Sequence, residues 1–258
     1  MLRVYLTGEL CLTSSAAVVR SDRFPGRQGR LAFVLLAAER SRPVARDELI
    51  ELLWPADAPA AVEVALSAVI SKLRSLLADV GLSRNALTSI AHCHQLRLPA
   101  DAWIDLEAAA EAVHGAESAL RSGAHADAYG PAVVANAIVR RPFLPGDDGP
   151  WIEGRRRALL DERLRALDCL AEIHHWNREP TLARKAAEEA VSLEPYRESG
   201  YRRLMKIHDE AGNTAESLRV YERLRLLLAS DLGAEPTSET QALLQQLHLV
   251  RARTSTSA

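Results

Sequence analysis

The sequence predicts a mostly α fold with a small β component, organised as two domains. Its 258 residues suit two cores better than one, and 48% hydrophobic with 26% charged residues is typical of a globular protein. Short strand-like segments, three helical segments and a hairpin occupy the first 99 residues, and the pattern beyond them is almost wholly helical. We expect a winged helix-turn-helix domain at 1–99, an all-α tetratricopeptide-like domain at 100–250 and a disordered tail at 251–258.

The first domain combines period-two and period-3.6 patterns in the order of a winged helix. Leu2, Val4 and Leu6 alternate with polar or small residues, as in a half-buried strand. A basic, Gly-rich break follows at Arg23–Arg30. Pro43 and Pro55 then separate three predicted helices, which are Leu31–Arg40, Arg46–Leu53 and roughly Ala58–Val80. Two short strands complete the pattern, Leu87–Ile90 and Gln95–Leu98, joined by a turn at Ala91–His94.

The second domain contains a weak internal repeat. The segment Ala171–His174 (AEIH) recurs as Met205–His208 (MKIH) after 34 positions, and Thr181 recurs as Thr214 after 33. This period is that of tetratricopeptide units, in which each repeat is a pair of antiparallel helices. Stacked helical hairpins form extended surfaces for protein contacts.

Composition excludes several classes of protein. No apolar run approaches the roughly 20 residues of a membrane span, and the N-terminus lacks the pattern of a secretory signal, so we expect a cytoplasmic protein. Three widely spaced cysteines suggest reduced thiols. No phosphate-binding loop or nucleophile elbow is present, which predicts a protein that is not an enzyme and needs no cofactor. Residues 1–100 carry 12 basic and nine acidic residues, whereas residues 101–258 carry 20 and 25.

The third predicted helix has two distinct faces. An apolar stripe at helical spacing must face the core: Leu66, Val69, Ile70, Leu73, Leu76 and Leu77. The opposite face has small residues flanked by two cations: Val64, Ser67, Ala68, Ser71, Ser75, Lys72 and Arg74. Small side chains allow close approach to a major groove, and Lys or Arg can reach guanine or phosphate. A solvated helix face is the alternative interpretation of this helix taken alone.

Several segments together resemble a known family. The segments Asp47–Pro55 (DELIELLWP), Ala65–Leu77 (ALSAVISKLRSLL) and Leu87–Pro99 (LTSIAHCHQLRLP) resemble the OmpR-type winged helix of SARP-type antibiotic-pathway activators. Gly149–Asp168, Glu194–Leu228 and Leu232–Thr240 resemble the bacterial transcriptional activator domain of the same proteins. The resemblance covers about residues 1–248.

The resemblance implies a transcriptional activator that binds direct repeats of double-stranded DNA near promoters and recruits RNA polymerase holoenzyme. It also implies self-association, as dimers or as tandem protomers on DNA in the bacterial nucleoid. The third helix would enter the DNA and Leu87–Leu98 would form the wing. The candidate DNA-binding residues are Ser67, Ser71, Lys72, Arg74, Ser75, Thr88, Ser89, His92 and His94. Two departures stand out: Glu63-Val64 replaces an Arg-Asn pair, and His92 occupies a turn position where relatives carry Gly.

Other interpretations remain open. A helical-repeat scaffold could use its winged helix for protein docking, and a ligand-sensing repressor would need the same DNA contact. His92, Cys93 and His94 lack the second ligand pair that a zinc site requires, and His92 and His94 could instead be pH-sensitive DNA contacts. Trp151 and Trp176 are expected to pack between helices or, alternatively, to line a ligand pocket. The basic run Arg155–Arg165 is expected to form surface ion pairs, with a phosphate contact as the alternative.

Overall fold

The computed structural model describes the backbone of residues 1–255 and the side chains of residues 1–247. Two compact units are present: Met1–Glu111 with Ala137–Leu159, and Ala112–Asn136 with Leu160–Ala258. The first unit therefore includes residues well beyond the domain boundary predicted at residue 99. The disordered tail predicted at 251–258 lies outside the fully described residues.

The first unit contains seven short strands in two sheets. The strands are β1 (Arg3–Tyr5), β2 (Cys11–Thr13), β3 (Val18–Arg20), β4 (Val44–Ala45), β5 (Leu87–Ile90), β6 (Cys93–Leu96) and β7 (Trp103–Ile104). One sheet has the order β3-β2-β1-β7, with β1 and β7 parallel and the other pairs antiparallel. The other is antiparallel, with the order β4-β6-β5, and contains the β5–β6 hairpin.

Three helices connect these sheets. They are α1 (Gly26–Ala38), α2 (Arg46–Leu53) and α3 (Val62–Asp79). The apolar stripe of α3 is buried as expected, with Leu66, Ile70, Leu73 and Leu77 in one cluster with Leu31 and Leu35 of α1. Strands, three helices and a hairpin in this order form a winged helix-turn-helix, which confirms the predicted fold class.

Three predicted boundaries were wrong. Helix α1 begins at Gly26, so most of the Arg23–Arg30 break is helical. Helix α3 begins at Val62 rather than near Ala58. Strand β6 runs over Cys93–Leu96 because the hairpin turn has two residues, not the four expected.

Within the described residues, helices form all the regular structure of the second unit. The remaining helices of the chain are α4 (Asp105–Arg121), α5 (His125–Val139), α6 (Pro150–Trp176), α7 (Pro180–Leu193), α8 (Glu198–Glu210), α9 (Thr214–Leu232) and α10 (Ser238–Ser255). The AEIH and MKIH segments lie near the ends of α6 and α8, and Thr181 and Thr214 lie near the starts of α7 and α9. The sequence repeat therefore corresponds to two successive helical pairs, as a tetratricopeptide-like domain requires. Among the described residues, none of the helices has the length and apolarity needed to cross a membrane.

A buried carboxylate joins β1 to the start of α4 in the first unit. Asp105 is fully buried directly after β7. Its Oδ1 accepts hydrogen bonds from the backbone N–H groups of Leu6 and Leu106, both at 2.9 Å. Its Oδ2 accepts from the Thr7 N–H at 2.9 Å and from the Thr7 hydroxyl at 2.8 Å. Four donors satisfy the carboxylate, which offsets the large cost of removing a charge from water.

Replacing this carboxylate should destabilise the first unit strongly. In Asp105→Asn the amide NH₂ can only donate, so it would face donors and leave buried N–H groups unpaired. We expect a loss of about 2–4 kcal/mol in the free energy of unfolding. Urea denaturation followed by circular dichroism measures it, with the exposed Asp101→Asn as the matched control. Equal stability of Asp105→Asn and the wild type would contradict this role.

Candidate nucleic-acid interface

The outward face of α3 is small and polar. Ser67, Ser71, Lys72 and Ser75 are exposed, in agreement with the helical pattern. The Ser67 hydroxyl donates to the Glu63 carbonyl at 2.8 Å, and the Ser75 hydroxyl donates to the Ser71 carbonyl at 3.4 Å. Both hydroxyls therefore lie against the helix backbone, and these side chains project little from the helix surface. A DNA groove could approach this face closely.

Arg74 joins α3 to the wing instead of pointing freely into solvent. Its Nε donates to the Leu87 carbonyl at 3.0 Å, and its Nη2 donates to the Ser89 hydroxyl at 2.7 Å. Both partners belong to β5, so one guanidinium fixes the position of this strand against the helix. Arg74 is a predicted DNA contact, and in this structure its Nε and one Nη2 N–H hold the wing in place.

His94 belongs to strand β6 of the hairpin, and it is only 4% exposed. Its Nδ1 hydrogen-bonds the Ser89 hydroxyl at 2.8 Å, which extends the Arg74–Ser89 contact into the interior. Burial lowers the pKa of His94, and the nearby positive charges of Arg46 and Arg74 lower it further, while Glu63 opposes them. The expectation that His94 is a pH-sensitive DNA contact does not fit this burial; the ring supports the hairpin from inside.

The tip of the wing has an unusual backbone. Ala91 and His92 both adopt the left-handed region, with φ of 48° and 62°, where residues other than Gly are disfavoured. The Arg46 N–H donates to the His92 carbonyl at 3.0 Å and anchors this turn to the start of α2. Ile90, beside the turn, is 65% exposed. Thr88 is partly buried and donates to the Gln95 carbonyl at 3.3 Å across the hairpin.

The acidic residue at the start of α3 is paired. Glu63 forms an ion pair with Arg46, the first residue of α2. This pair neutralises the negative charge that departs from the family pattern, but it also engages a cation that could have met phosphate. The neighbouring Val64 is 70% exposed.

Two cations at the base of the wing escaped the sequence-based prediction. Arg84 lies in the 3-10 turn before β5 and Arg97 directly follows β6. The Arg97 N–H donates to the Ala86 carbonyl at 2.6 Å, which brings these two flanks of the hairpin together. Both side chains are exposed, and like Lys72 they have no ion pair within the described residues. In the sequence, only their positions on either side of the predicted hairpin could have marked these two arginines as candidate DNA contacts.

The other candidate features have structural partners. Arg155 donates to the Ala38 carbonyl at 3.1 Å, and Arg156 donates to three backbone carbonyls, including that of Leu144 at 2.6 Å. Trp151 packs against Phe143 with ring centroids 5.9 Å apart. Within the described residues, no group of three or more His, Cys, Asp or Glu side chains could hold a metal ion.

Comparison with known proteins supplies the family. The model of the bacterial transcriptional activator domain matches residues 104–248, more than half of the chain. The chain belongs to this family. It is 29% identical to the transcriptional regulatory protein MoaR1 of Mycobacterium tuberculosis over 86% of this chain and 72% of MoaR1. It is 28% identical to the regulatory protein AfsR of Streptomyces coelicolor over 95% of this chain but only 23% of AfsR.

A solved structure extends this likeness to the fold. Mycobacterium tuberculosis EmbR, determined in complex with a low-affinity phosphopeptide, superposes with a TM-score of 0.85 at 26% identity. The superposition covers 95% of this chain and 64% of that one. These relatives confirm the resemblance to SARP-type regulators. The chain is a transcriptional regulator rather than an enzyme.

Acid should destabilise the first unit through His94. Because folding lowers the pKa of His94, the neutral ring stabilises the fold above the unfolded value of about 6.5. This stabilisation is lost as pH falls from there through the folded-state pKa, since the buried ring must then take up a proton. Urea titrations between pH 7.5 and 4.5 should show a smaller loss of unfolding free energy in His94→Gln than in the wild type. His92→Gln, on the same hairpin but exposed, should behave as the wild type.

Removing the Arg74 side chain should loosen the wing. Arg74→Ala removes both bonds to β5, which should lower the unfolding free energy by about 1–2 kcal/mol. Hydrogen exchange should become faster at β5 amides, while the amides of α1 keep their protection. Unchanged exchange in β5 would show that the hairpin is positioned by other contacts.

Proposed function

We propose that this chain is an activator that binds double-stranded DNA sequence-specifically at direct repeats near promoters. The observation that supports this most is the low, exposed face of α3 with Lys72, beside a wing that Arg74 fixes to the same helix. Two rigidly related elements are what a winged helix needs to contact a groove and the adjacent backbone together. The relatives named as transcriptional regulators support the same proposal.

The predicted site residues divide into two roles. Ser67, Ser71, Lys72 and Ser75 face outward from α3, where they could meet base edges or phosphates in the major groove. His92, at the exposed turn, would lie at the minor groove or its phosphates. Arg74, Ser89 and His94 hold the wing through their mutual contacts, and Thr88 bonds the Gln95 carbonyl across the hairpin. In this proposal the second group acts on DNA binding through position and not through direct contact.

Arg84 and Arg97 add two phosphate contacts to the proposal. Both are exposed at the base of the hairpin, and an arginine in that place can donate to the DNA backbone without selecting a sequence. The pairing of Glu63 with Arg46 lowers the number of cations available on this surface. We therefore expect modest affinity from one protomer, with side-by-side protomers on a direct repeat supplying avidity.

The helical domain supplies activation in this proposal. Its helical pairs offer a surface for protein contacts, with RNA polymerase holoenzyme as the partner and neighbouring protomers as a second contact. We place the protein in the cytoplasm, at the nucleoid. The phosphopeptide was bound by EmbR, and this chain covers only 64% of the EmbR chain. Phosphopeptide binding is therefore not part of the proposal.

Tests of this function need the whole chain. A fragment ending at Pro99 would lack β7, which pairs with β1, and Asp105, which accepts hydrogen bonds from Leu6 and Thr7. Weak DNA binding by that fragment would then report lost stability as much as lost contacts. Substitutions on exposed residues of the full chain avoid this ambiguity.

Lys72→Ala should weaken DNA binding chiefly at low salt. Removing one phosphate contact should reduce the slope of log K against log salt by about 0.9, whereas a lost base contact would relax specificity instead. Filter binding to the DNA upstream of the gene for this chain, from low to physiological salt, measures both the salt slope and the affinity. Lys206→Ala, an exposed lysine on α8, is the matched control and should match the wild type.

Absence of duplex binding by the wild type even at low salt would overturn the proposal. The scaffold interpretation, in which the winged helix docks to a protein, would then take its place. If DNA binds but Lys72→Ala matches the control, the DNA-facing side of α3 has been misassigned.

A further inference from the structure

The second unit exposes a tryptophan that the proposed function does not use. Trp176, the last residue of α6, is 56% exposed. Tyr129 of α5 is 46% exposed and its ring lies 5.9 Å from that of His174. Tryptophan is enriched at the centres of protein interfaces.

One neighbouring ring packs against this tryptophan. The imidazole of His125 stacks on the Trp176 indole at 4.7 Å with an interplanar angle of 5°. This stacking limits the orientations of the indole, which lowers the side-chain entropy lost when a partner binds.

A cavity of about 710 Å³ opens beside the indole. Its volume lies within the range of ligand-binding pockets. The ionisable residues that line it are His125, Glu172, His175, Arg178 and Glu210. Two carboxylates and one guanidinium belong to this lining, and Arg203, outside the lining, pairs with Glu172.

Both carboxylates remain accessible although each has a partner. Glu210 lies 2.6 Å from the Nε2 of His175, and its side chain is 55% exposed. Glu172 lies 3.5 Å from Arg203, at the outer limit of a hydrogen bond, and is also half exposed. Each carboxylate has oxygen lone pairs available for another donor.

We propose that these residues, Trp176, Glu172 and Glu210 with the His125 stack, form a docking surface for an arginine-bearing segment of a partner protein. A guanidinium is planar, so it can stack on an indole while its N–H groups donate to carboxylates, which a compact ammonium does less well. The two accessible carboxylates and the exposed indole both favour this side chain. The surface is independent of α3 and the wing, so it operates whether or not the DNA proposal holds.

The test uses a peptide that isolates the guanidinium. Acetyl-Gly-Arg-Gly-Arg-Gly-amide is titrated into the full chain, and the same peptide with citrulline serves as the neutral control of equal shape. The indole N–H signals of the four tryptophans report binding by NMR, and Trp176→Phe assigns the signal of Trp176. We expect that signal to shift saturably with the arginine peptide and not with the citrulline peptide. Glu172→Gln with Glu210→Gln should weaken binding about tenfold.

A matched variant distinguishes peptide binding at Trp176 from nonspecific binding to exposed apolar residues. Leu226 of α9 is 59% exposed, so Leu226→Ala removes a comparable apolar residue elsewhere and should leave peptide binding unchanged. Thermal unfolding of each variant confirms that the fold persists. Equal shifts with citrulline, or no shift of the Trp176 signal, would overturn the proposal. Self-association that Trp176→Ala abolishes, without peptide binding, would overturn it too, since a second copy would then be the occupant.

Discussion

The buried carboxylate of Asp105 is the constraint on which the first unit depends. It accepts from two backbone N–H groups and a hydroxyl at the end of β1, and from the first turn of α4. Strand β7 has only two residues and two pairings with β1. The carboxylate adds directional bonds in a dry environment, where each is strong and each unpaired donor is costly. The Asp105 carboxylate therefore attaches the start of α4 to the sheet that contains β1.

The wing follows the same logic of buried polar contacts. Arg74, Ser89 and His94 form a chain of hydrogen bonds from α3 through β5 to the interior, and Arg46 holds both the turn and Glu63. Arg74, Ser89 and His94 were all predicted from the sequence to contact DNA. The consequence is a stiff wing with fewer free cations. In the proposed DNA binding, such an arrangement would favour positional accuracy over the affinity of a single protomer.

Hydrophobic periodicity and the positions of helix-breaking prolines in the sequence determined the fold class. The stripe of Leu66, Ile70, Leu73 and Leu77 required one buried helix face, and β5 could be placed from its pattern. The repeat around Thr181 and Thr214 indicated the helical pairs. Boundaries failed where local geometry decided them. Two residues other than Gly accept positive φ at Ala91 and His92 because Arg46 and the hairpin hold them there, and no propensity rule predicts that.

The sequence by itself determined which residues of α3 face outward, because 3.6-residue spacing fixes both faces of a helix once the apolar one is known. Only the tertiary structure decided what the polar residues do. A sequence pattern cannot show that Arg74 meets the Leu87 carbonyl, that His94 is buried, or that the Trp176 indole is exposed against His125. Each of these depends on residues distant in the chain meeting within a few ångströms, and hydrogen bonding, burial and stacking are properties of such meetings.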